Sequence, residues 1–209
     1  MEITWLGHSS FQIRNSNVTL ITDPYSGETG FTFPDVSANV VTVSNDHPNH
    51  NSYASVKGNP HVFNGPGEYE VGGVFINSWR TPSESDEDPL NTAYLIEVDG
   101  VVICHLGDLT RTLNARLSED LGRAQVLLIP VGGHCTLALG QVADVISQLE
   151  PRLVIPMHFK DGESNLELEP IEPFLRELGI QEPVRQNRIT MTSSTIPKEL
   201  QVIIPERAT

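Results

Sequence analysis

The first hundred residues alternate short apolar runs with polar and turn-forming residues. The runs are rich in β-branched residues and too short for helices, which is typical of strands. We therefore predict strands over residues 3–6, 11–14, 18–22, 40–43, 61–63 and 74–76. Asp99 and Gly100 separate two further runs, 94–98 and 101–103. Because Asp and Gly both tolerate positive φ, this pair predicts a two-residue hairpin.

Two polar segments of this half lie between the predicted strands. Residues 65–70 begin with Gly-Pro-Gly and predict a turn. Residues 82–89 are rich in Asp and Glu, and we interpret them as a solvated loop.

The second half alternates strand-like runs with helical spacing. Residues 126–131 and 153–155 are continuous apolar runs, as in strands that are buried on both faces. Between them, apolar residues recur at helical intervals over residues 142–149, and Thr136 is a candidate N-cap. This alternation is typical of a sheet covered by helices.

The last fifty residues continue the alternation and complete the predicted domain. A helix is predicted over residues 171–178, ended by Gly179, and closing strands over residues 188–192 and 200–204. There is no internal repeat and no linker. We therefore predict a single α/β domain over residues 1–209, a length that suits one core.

Composition restricts the partners and the compartment. Among 209 residues, 13 are Lys or Arg and 27 are Asp or Glu, so the formal net charge is −14. This charge disfavours nucleic acids and anionic membranes. No apolar run approaches the roughly 20 residues of a membrane span, and the N-terminus lacks a secretory pattern. Cys104 and Cys135 do not form a disulfide framework. We expect a cytoplasmic protein.

Side chains that bind metals follow three of the predicted strands. Residues 44–50 contain His47 and His50, Asp108 follows the second strand of the hairpin, and His158 follows the strand that begins at Leu153. In open α/β folds, functional groups collect beyond the carboxyl ends of strands. Each signal is weak alone, but imidazoles and a carboxylate together suit zinc, manganese or iron.

The whole chain resembles the metallo-β-lactamase superfamily, most of all the short bacterial metal-dependent hydrolases related to L-ascorbate-6-phosphate lactonase. The resemblance rests on Trp-Leu-Gly-His-Ser-Ser-Phe at 5–11, Thr-Asp-Pro at 22–24, the segments 43–50, 64–73, 91–98, 104–108 and 129–133, and Ile-Pro-Met-His at 155–158. It implies an αββα sandwich with a metal centre at one edge of two facing sheets.

The resemblance also implies a set of metal ligands, of which this chain keeps only part. The family pattern is H-x-H-x-D-H, a mid-chain His, an Asp and a final His, which together hold two metals. The chain retains His47, His50, Asp108 and His158 and replaces the other three ligands by Asn45, Asn49 and, as our best placement of the mid-chain position, Ser83. An amide is a poor ligand for zinc. We expect one zinc or manganese ion at most, held by His50, Asp108 and His158, or none.

Three hypotheses of function follow. The chain is a hydrolase of a small lactone or phosphoester, or a degenerate relative that binds a small molecule or acts as a scaffold, or a metal-free enzyme built on His8, His134 and Cys135. Asn49 cannot take a proton at neutral pH, which would weaken general-base assistance. His8 and His134 are weak candidates for a substitute ligand or base. Homo-oligomers occur among similar proteins.

Overall fold

The computed structural model describes residues 1–83, 90–162 and 164–208. Most of the acidic stretch that we predicted as a solvated loop lies outside these residues. The described residues form fourteen strands and three α-helices. The strands are β1 Glu2–Gly7, β2 Ser10–Arg14, β3 Thr19–Thr22, β4 Val40–Thr42, β5 His61–Phe63, β6 Gly67–Val71, β7 Val74–Arg80, β8 Thr92–Val98, β9 Val101–His105, β10 Val126–Pro130, β11 Leu153–Met157, β12 Val184–Gln186, β13 Ile189–Thr190 and β14 Gln201–Pro205. The helices are α1 Ala115–Leu121, α2 Leu139–Leu149 and α3 Ile171–Glu177.

The strands form two mixed sheets that face each other. The first sheet has the order β13-β1-β2-β3-β4-β5, and the second has the order β12-β14-β11-β10-β9-β8-β7-β6. Phe11 and Leu20 of the first sheet share one core cluster with Ile96 and Ile103 of the second. The buried Tyr94 hydroxyl of β8 donates to the carbonyls of Val43 and Phe63 at 2.7 and 2.9 Å and so joins the two sheets.

The outer faces of the two sheets are covered differently. Every residue of β10 and β11 is buried, so these strands are covered on both faces, and α2 adds its apolar face to the same core cluster. On the first sheet, Ile21 and Val41 point away from the shared core and pack with Val56. Short 3₁₀ helices at Gly27–Thr29 and Tyr53–Ser55 lie in the segment that forms this layer. The α/β sandwich implied by the resemblance is confirmed.

The strand and helix predictions are confirmed in their order, with three corrections. Asp99 and Gly100 have φ of 53° and 73°, as a type I′ hairpin turn requires. Thr136 does not cap α2, because its hydroxyl donates to the Gly133 carbonyl at 3.0 Å and the N-cap residue is Ala138. Most of the segment predicted as a turn at 65–70 belongs to β6, which pairs with β7. Helix α1 and strand β12 were not predicted, because their apolar patterns are too short.

The parallel pairings bring strand ends together. Strands β3, β4 and β5 are parallel neighbours in one sheet, and β9, β10 and β11 are parallel neighbours in the other. The segments that follow β4, β9 and β11 therefore emerge at the same edge of the sandwich. The backbone N–H of Thr92 donates to the Ser44 carbonyl at 2.8 Å and ties the two sheets there. In the described part of the chain, no helix is long and apolar enough to cross a membrane.

Candidate metal centre

Three of the predicted metal ligands, His50, Asp108 and His158, meet at the edge of the sandwich where β4, β9 and β11 end. His50 Nε2 lies 2.8 Å from Asp108 Oδ2, and His158 Nε2 lies 3.3 Å from Asp108 Oδ1. The two histidines are buried, and the Asp108 side chain is 20% exposed. The contact between His158 and Asp108 lacks hydrogen-bond geometry. Oδ1 of Asp108 is therefore a buried carboxylate oxygen without a donor among the described residues. Asp108 thus stands between two imidazoles that come from different sheets.

The loop that carries Asp108 is held by hydrogen bonds to Asn91 and by the close packing of Gly107 against Asn91 and Ser44. Asp108 N–H donates to Asn91 Oδ1 at 2.9 Å, and Asn91 Nδ2 donates to the Leu106 carbonyl at 2.9 Å. Gly107 has φ of 57°, and a Cβ there would lie 2.3 Å from Asn91 Oδ1 and 2.4 Å from Ser44 Cβ. Only glycine fits at position 107. The Gly107–Asp108 pair therefore serves to position the Asp108 carboxylate as well as to turn the chain.

Asp23 fixes the orientation of His50, and sequence reasoning did not assign it a role. Its Oδ2 lies 2.8 Å from His50 Nδ1 and 2.6 Å from the donating Ser44 hydroxyl, while Oδ1 accepts the Ser44 N–H at 2.7 Å. A carboxylate on Nδ1 fixes the ring and leaves Nε2 for the site. Asp23 directly follows β3, so the rule that located the other groups at strand ends could have found it.

The charges at this edge are strongly coupled. Burial by itself lowers the pKa of His50, but the carboxylates of Asp108 and Asp23 outweigh burial and raise it above its ordinary value. Burial would raise the pKa of Asp108, yet His50 and His158 hold it well below its usual range. The pKa of His158 is lowered, mainly by burial. The group therefore holds an ionised carboxylate between a protonated His50 and a neutral His158.

His8, a weak candidate from the sequence, lies inside this group. Its ring centroid is 4.2 Å from that of His158 and 5.0 Å from that of His50. One ring nitrogen from each of the three histidines lies within 4.8 Å of the others. The turn between β1 and β2 places His8 there, and nothing in the spacing of the sequence indicates this contact.

The residues that we predicted at replaced ligand positions also line the site. Asn45 Nδ2 donates to Asp108 Oδ2 at 3.4 Å, and Asn45 Oδ1 accepts the His47 N–H at 3.0 Å. His47 is exposed, and its Nδ1 accepts the Asn49 N–H at 3.2 Å. Asn49 is buried with its Oδ1 unpartnered among the described residues, and Ser83 is exposed.

These residues surround one cavity of about 660 Å³, to which His8, His50, Asp108 and His158 also contribute. His134, Cys135 and Thr136, in the loop between β10 and α2, form part of its wall. Glu167 adds a carboxylate. Among the described residues that line the cavity there is no Lys or Arg. The described lining of the cavity therefore offers an anionic ligand no Lys or Arg side chain.

The metal-free alternative finds little support in the geometry. Cys135 is exposed. Partial desolvation of the sulfur and the Asp108 carboxylate raise the pKa of the Cys135 thiol, which disfavours the nucleophilic thiolate. His105 is buried: its Nε2 donates to the Ser9 carbonyl at 2.8 Å, and its Nδ1 accepts the Gly107 N–H at 3.2 Å. Both of its nitrogens are used structurally.

Known proteins identify the family. Residues 2–158 match the family model described as a beta-lactamase superfamily domain. A solved structure from Thermotoga maritima, classed with the zinc-dependent hydrolases of the metallo-β-lactamase superfamily, is 34% identical and superposes with a TM-score of 0.84 over 99% of both chains. The chain belongs to the metallo-β-lactamase superfamily.

Three further proteins are similar to the chain in sequence or in fold. A metal-dependent hydrolase of Pyrococcus furiosus is 30% identical over 191 residues, covering 76% of this chain and 84% of that protein. A metal-dependent hydrolase of Thermococcus kodakarensis is 29% identical over 190 residues, with the same coverage of 76% and 84%. A metallo hydrolase of Ignicoccus hospitalis, 17% identical with a TM-score of 0.63 over 100% of this chain and 97% of that one, shares the fold.

Proposed function

We propose that the protein is a metal-dependent hydrolase that binds one divalent ion through His50, Asp108 and His158. The observation that carries this proposal is the position of Asp108, whose two oxygens lie 2.8 and 3.3 Å from the Nε2 atoms of His50 and His158. Two imidazoles and a carboxylate are a donor set of catalytic one-metal sites, which keep a further position open.

The residues present fit such an ion. Asp108 Oδ1 and His8 Nε2 are buried polar atoms without a hydrogen-bond partner among the described residues. Buried polar atoms in native proteins are nearly always satisfied, so two unsatisfied atoms in one place indicate a missing partner. A cation would also neutralise the ionised Asp108. Imidazole and carboxylate donors suit zinc or manganese.

The remaining residues determine how the site would act. A bound divalent ion supplies a Lewis acid and lowers the pKa of water. Asn45 donates to Asp108 Oδ2 and occupies a place where the family has a ligand, which supports a one-metal site. Asn49 can donate a hydrogen bond but cannot take a proton from the attacking water, so we expect a rate about 10²–10⁴ lower than with a carboxylate there.

The lining of the cavity favours an uncharged substrate. Phosphate and phosphoester groups are normally bound by Arg or Lys, and the described lining contains neither. Asp108 and Glu167 add negative charge to a chain whose net charge is −14. We therefore place a lactone or a related neutral carbonyl compound ahead of a phosphoester.

Elemental analysis and paired assays test this proposal. Protein grown with zinc and manganese should contain about one metal equivalent and hydrolyse δ-valerolactone faster than bis(4-nitrophenyl) phosphate. His158→Asn should lose both metal and turnover, whereas the exposed His61→Asn on β5 should lose neither. Asn is chosen because His158 has φ of 53°, which Asn tolerates. Preference for the phosphodiester would refute the substrate class alone.

A degenerate binding protein is the second candidate, and the three replaced ligand positions favour it. The triple variant Asn45→His, Asn49→Asp, Ser83→His separates the two. Two metal equivalents in the triple variant with none in the natural protein would indicate an intact scaffold whose centre is lost, and the hydrolase proposal would fail. About one equivalent in the natural protein supports the hydrolase.

A further inference from the structure

We infer that His8 is a ligand of the metal and takes over the donor role that the chain has lost at Asn49. This inference rests on the proposed one-metal function and changes the composition of the site to three imidazoles and one carboxylate, so that water would bind as a fifth ligand. The imidazoles come from three separate places in the fold: His8 from the turn between β1 and β2, His50 from the loop after β4, and His158 from the end of β11.

The first argument is geometric. The three rings are nearly fully buried, with exposures of 2%, 1% and 2% for His8, His50 and His158. One nitrogen from each lies within 4.8 Å of the other two. Nitrogens that share one tetrahedral zinc are about 3.4 Å apart, given metal–nitrogen distances of about 2.0–2.1 Å. Small side-chain rotations around an ion would close the difference.

The second argument is the unsatisfied nitrogen of His8. His8 Nε2 is buried and has no hydrogen-bond partner in the described part of the protein. The buried His105 is the opposite case, because both of its nitrogens are hydrogen-bonded. A purely structural histidine would be expected to resemble His105. His8 Nε2 therefore lacks a partner, and a bound cation would be that partner.

The third argument is how firmly the backbone holds His8 in place. Its carbonyl accepts hydrogen bonds from Trp5 Nε1 at 2.9 Å and from the His158 N–H at 3.1 Å. His8 has φ of 52°, an uncommon conformation for a residue other than glycine. Such backbone persists where surrounding contacts over-determine it, and it clusters at functional sites. The two ligands His8 and His158 are thus fixed to each other through the main chain.

The donor set agrees with this role. Three imidazoles are a known donor set of catalytic zinc. In this arrangement the carboxylate of Asp108 is the single anionic group among the four.

A matched pair of substitutions tests the inference. His8→Asn removes the imidazole and keeps a residue that tolerates positive φ. His134→Asn is the control, because His134 lines the same cavity with φ of 55° but is exposed and lies outside the three-histidine group. Zinc affinity is measured by competition with a chromophoric chelator, and the number of bound imidazoles by X-ray absorption on the zinc-loaded protein.

We expect the natural protein to show three imidazoles on one zinc. His8→Asn should show two and bind zinc at least tenfold more weakly, and His134→Asn should match the natural protein. Melting temperatures in chelator should be equal or higher for His8→Asn, which excludes misfolding as the cause.

Unchanged affinity and an unchanged imidazole count in His8→Asn, with zinc lost in His158→Asn, would overturn the His8 assignment and leave the proposed function standing. Absence of zinc from the natural protein would overturn both.

Discussion

At the level of single residues, the centre depends on groups that hold each other's orientation and charge. Asp23 does not line the cavity, yet its carboxylate meets three donors: the N–H and hydroxyl of Ser44 and Nδ1 of His50. Because Nδ1 is engaged by Asp23, Nε2 is the nitrogen of His50 that faces Asp108. The orientation of His50 is therefore set by Asp23, a residue that does not itself face the metal position.

Asp23→Asn tests this dependence. An amide offers one acceptor oxygen where the carboxylate offers two, so at least one of the three donors loses its partner. We expect zinc or manganese affinity to fall about 10–100-fold, the usual cost of losing the partner that orients a ligand. Isothermal titration measures it. Asp35→Asn, which removes an exposed carboxylate paired with Lys57, should leave the affinity unchanged, and an equal loss in both variants would contradict the assigned role.

At the level of elements, the site depends on where strands end and on how tightly the turns are made. The hairpin between β8 and β9 sets the register Val98↔Val101, and β9 then runs on to the Asp108 loop. A change in the turn would therefore be transmitted along the strand that delivers Asp108.

A pair of glycine substitutions tests the hairpin. Gly100 has φ of 73° and ample space around it, so Gly100→Ala introduces backbone strain without a clash and should lower the free energy of unfolding by about 1–2 kcal/mol. Gly140 lies in α2 without positive φ, and a Cβ added there would meet no other atom within 4 Å. Gly140→Ala should raise the free energy of unfolding by about 0.5 kcal/mol. Urea denaturation measures both, and equal effects would refute the strain argument.

At the level of the whole molecule, the centre connects the two sheets at their edge, beside the Thr92–Ser44 hydrogen bond. His50 comes from the first sheet, while Asp108 and His158 come from the second. An ion bound by all three is a cross-link between the sheets, as the Tyr94 hydroxyl is in the interior. Metal binding should therefore stabilise the entire fold.

Thermal unfolding measures this stabilisation. Free zinc at one hundred times its Kd should add about 2.7 kcal/mol to the free energy of unfolding. For a chain of this size, that corresponds to a rise in melting temperature of roughly 5–10 °C. Magnesium, which prefers oxygen ligands and octahedral geometry, serves as the control and should have little effect. If zinc raised the melting temperature of His158→Asn by a similar amount, the ion would bind elsewhere.

The sequence by itself determined the order of the elements and the groups that follow strand ends. Val40–Thr42, Val101–His105 and Leu153–Met157 are local apolar runs, and local patterns are what fix strands and place His50, Asp108 and His158 after them. That Asn45 and Asn49 replace metal ligands stays a prediction from the family resemblance.

Only the tertiary structure decided which of these residues meet. His8 is 42 positions from His50 and 150 from His158 along the chain, and the sequence named it only as a weak candidate for a substitute ligand. The contact arises because two sheets pack face to face and the β1–β2 turn reaches the edge where strands of both sheets end. Side-chain protonation was likewise undecided by the sequence, since it depends on burial and on carboxylates that folding brings within hydrogen-bond distance.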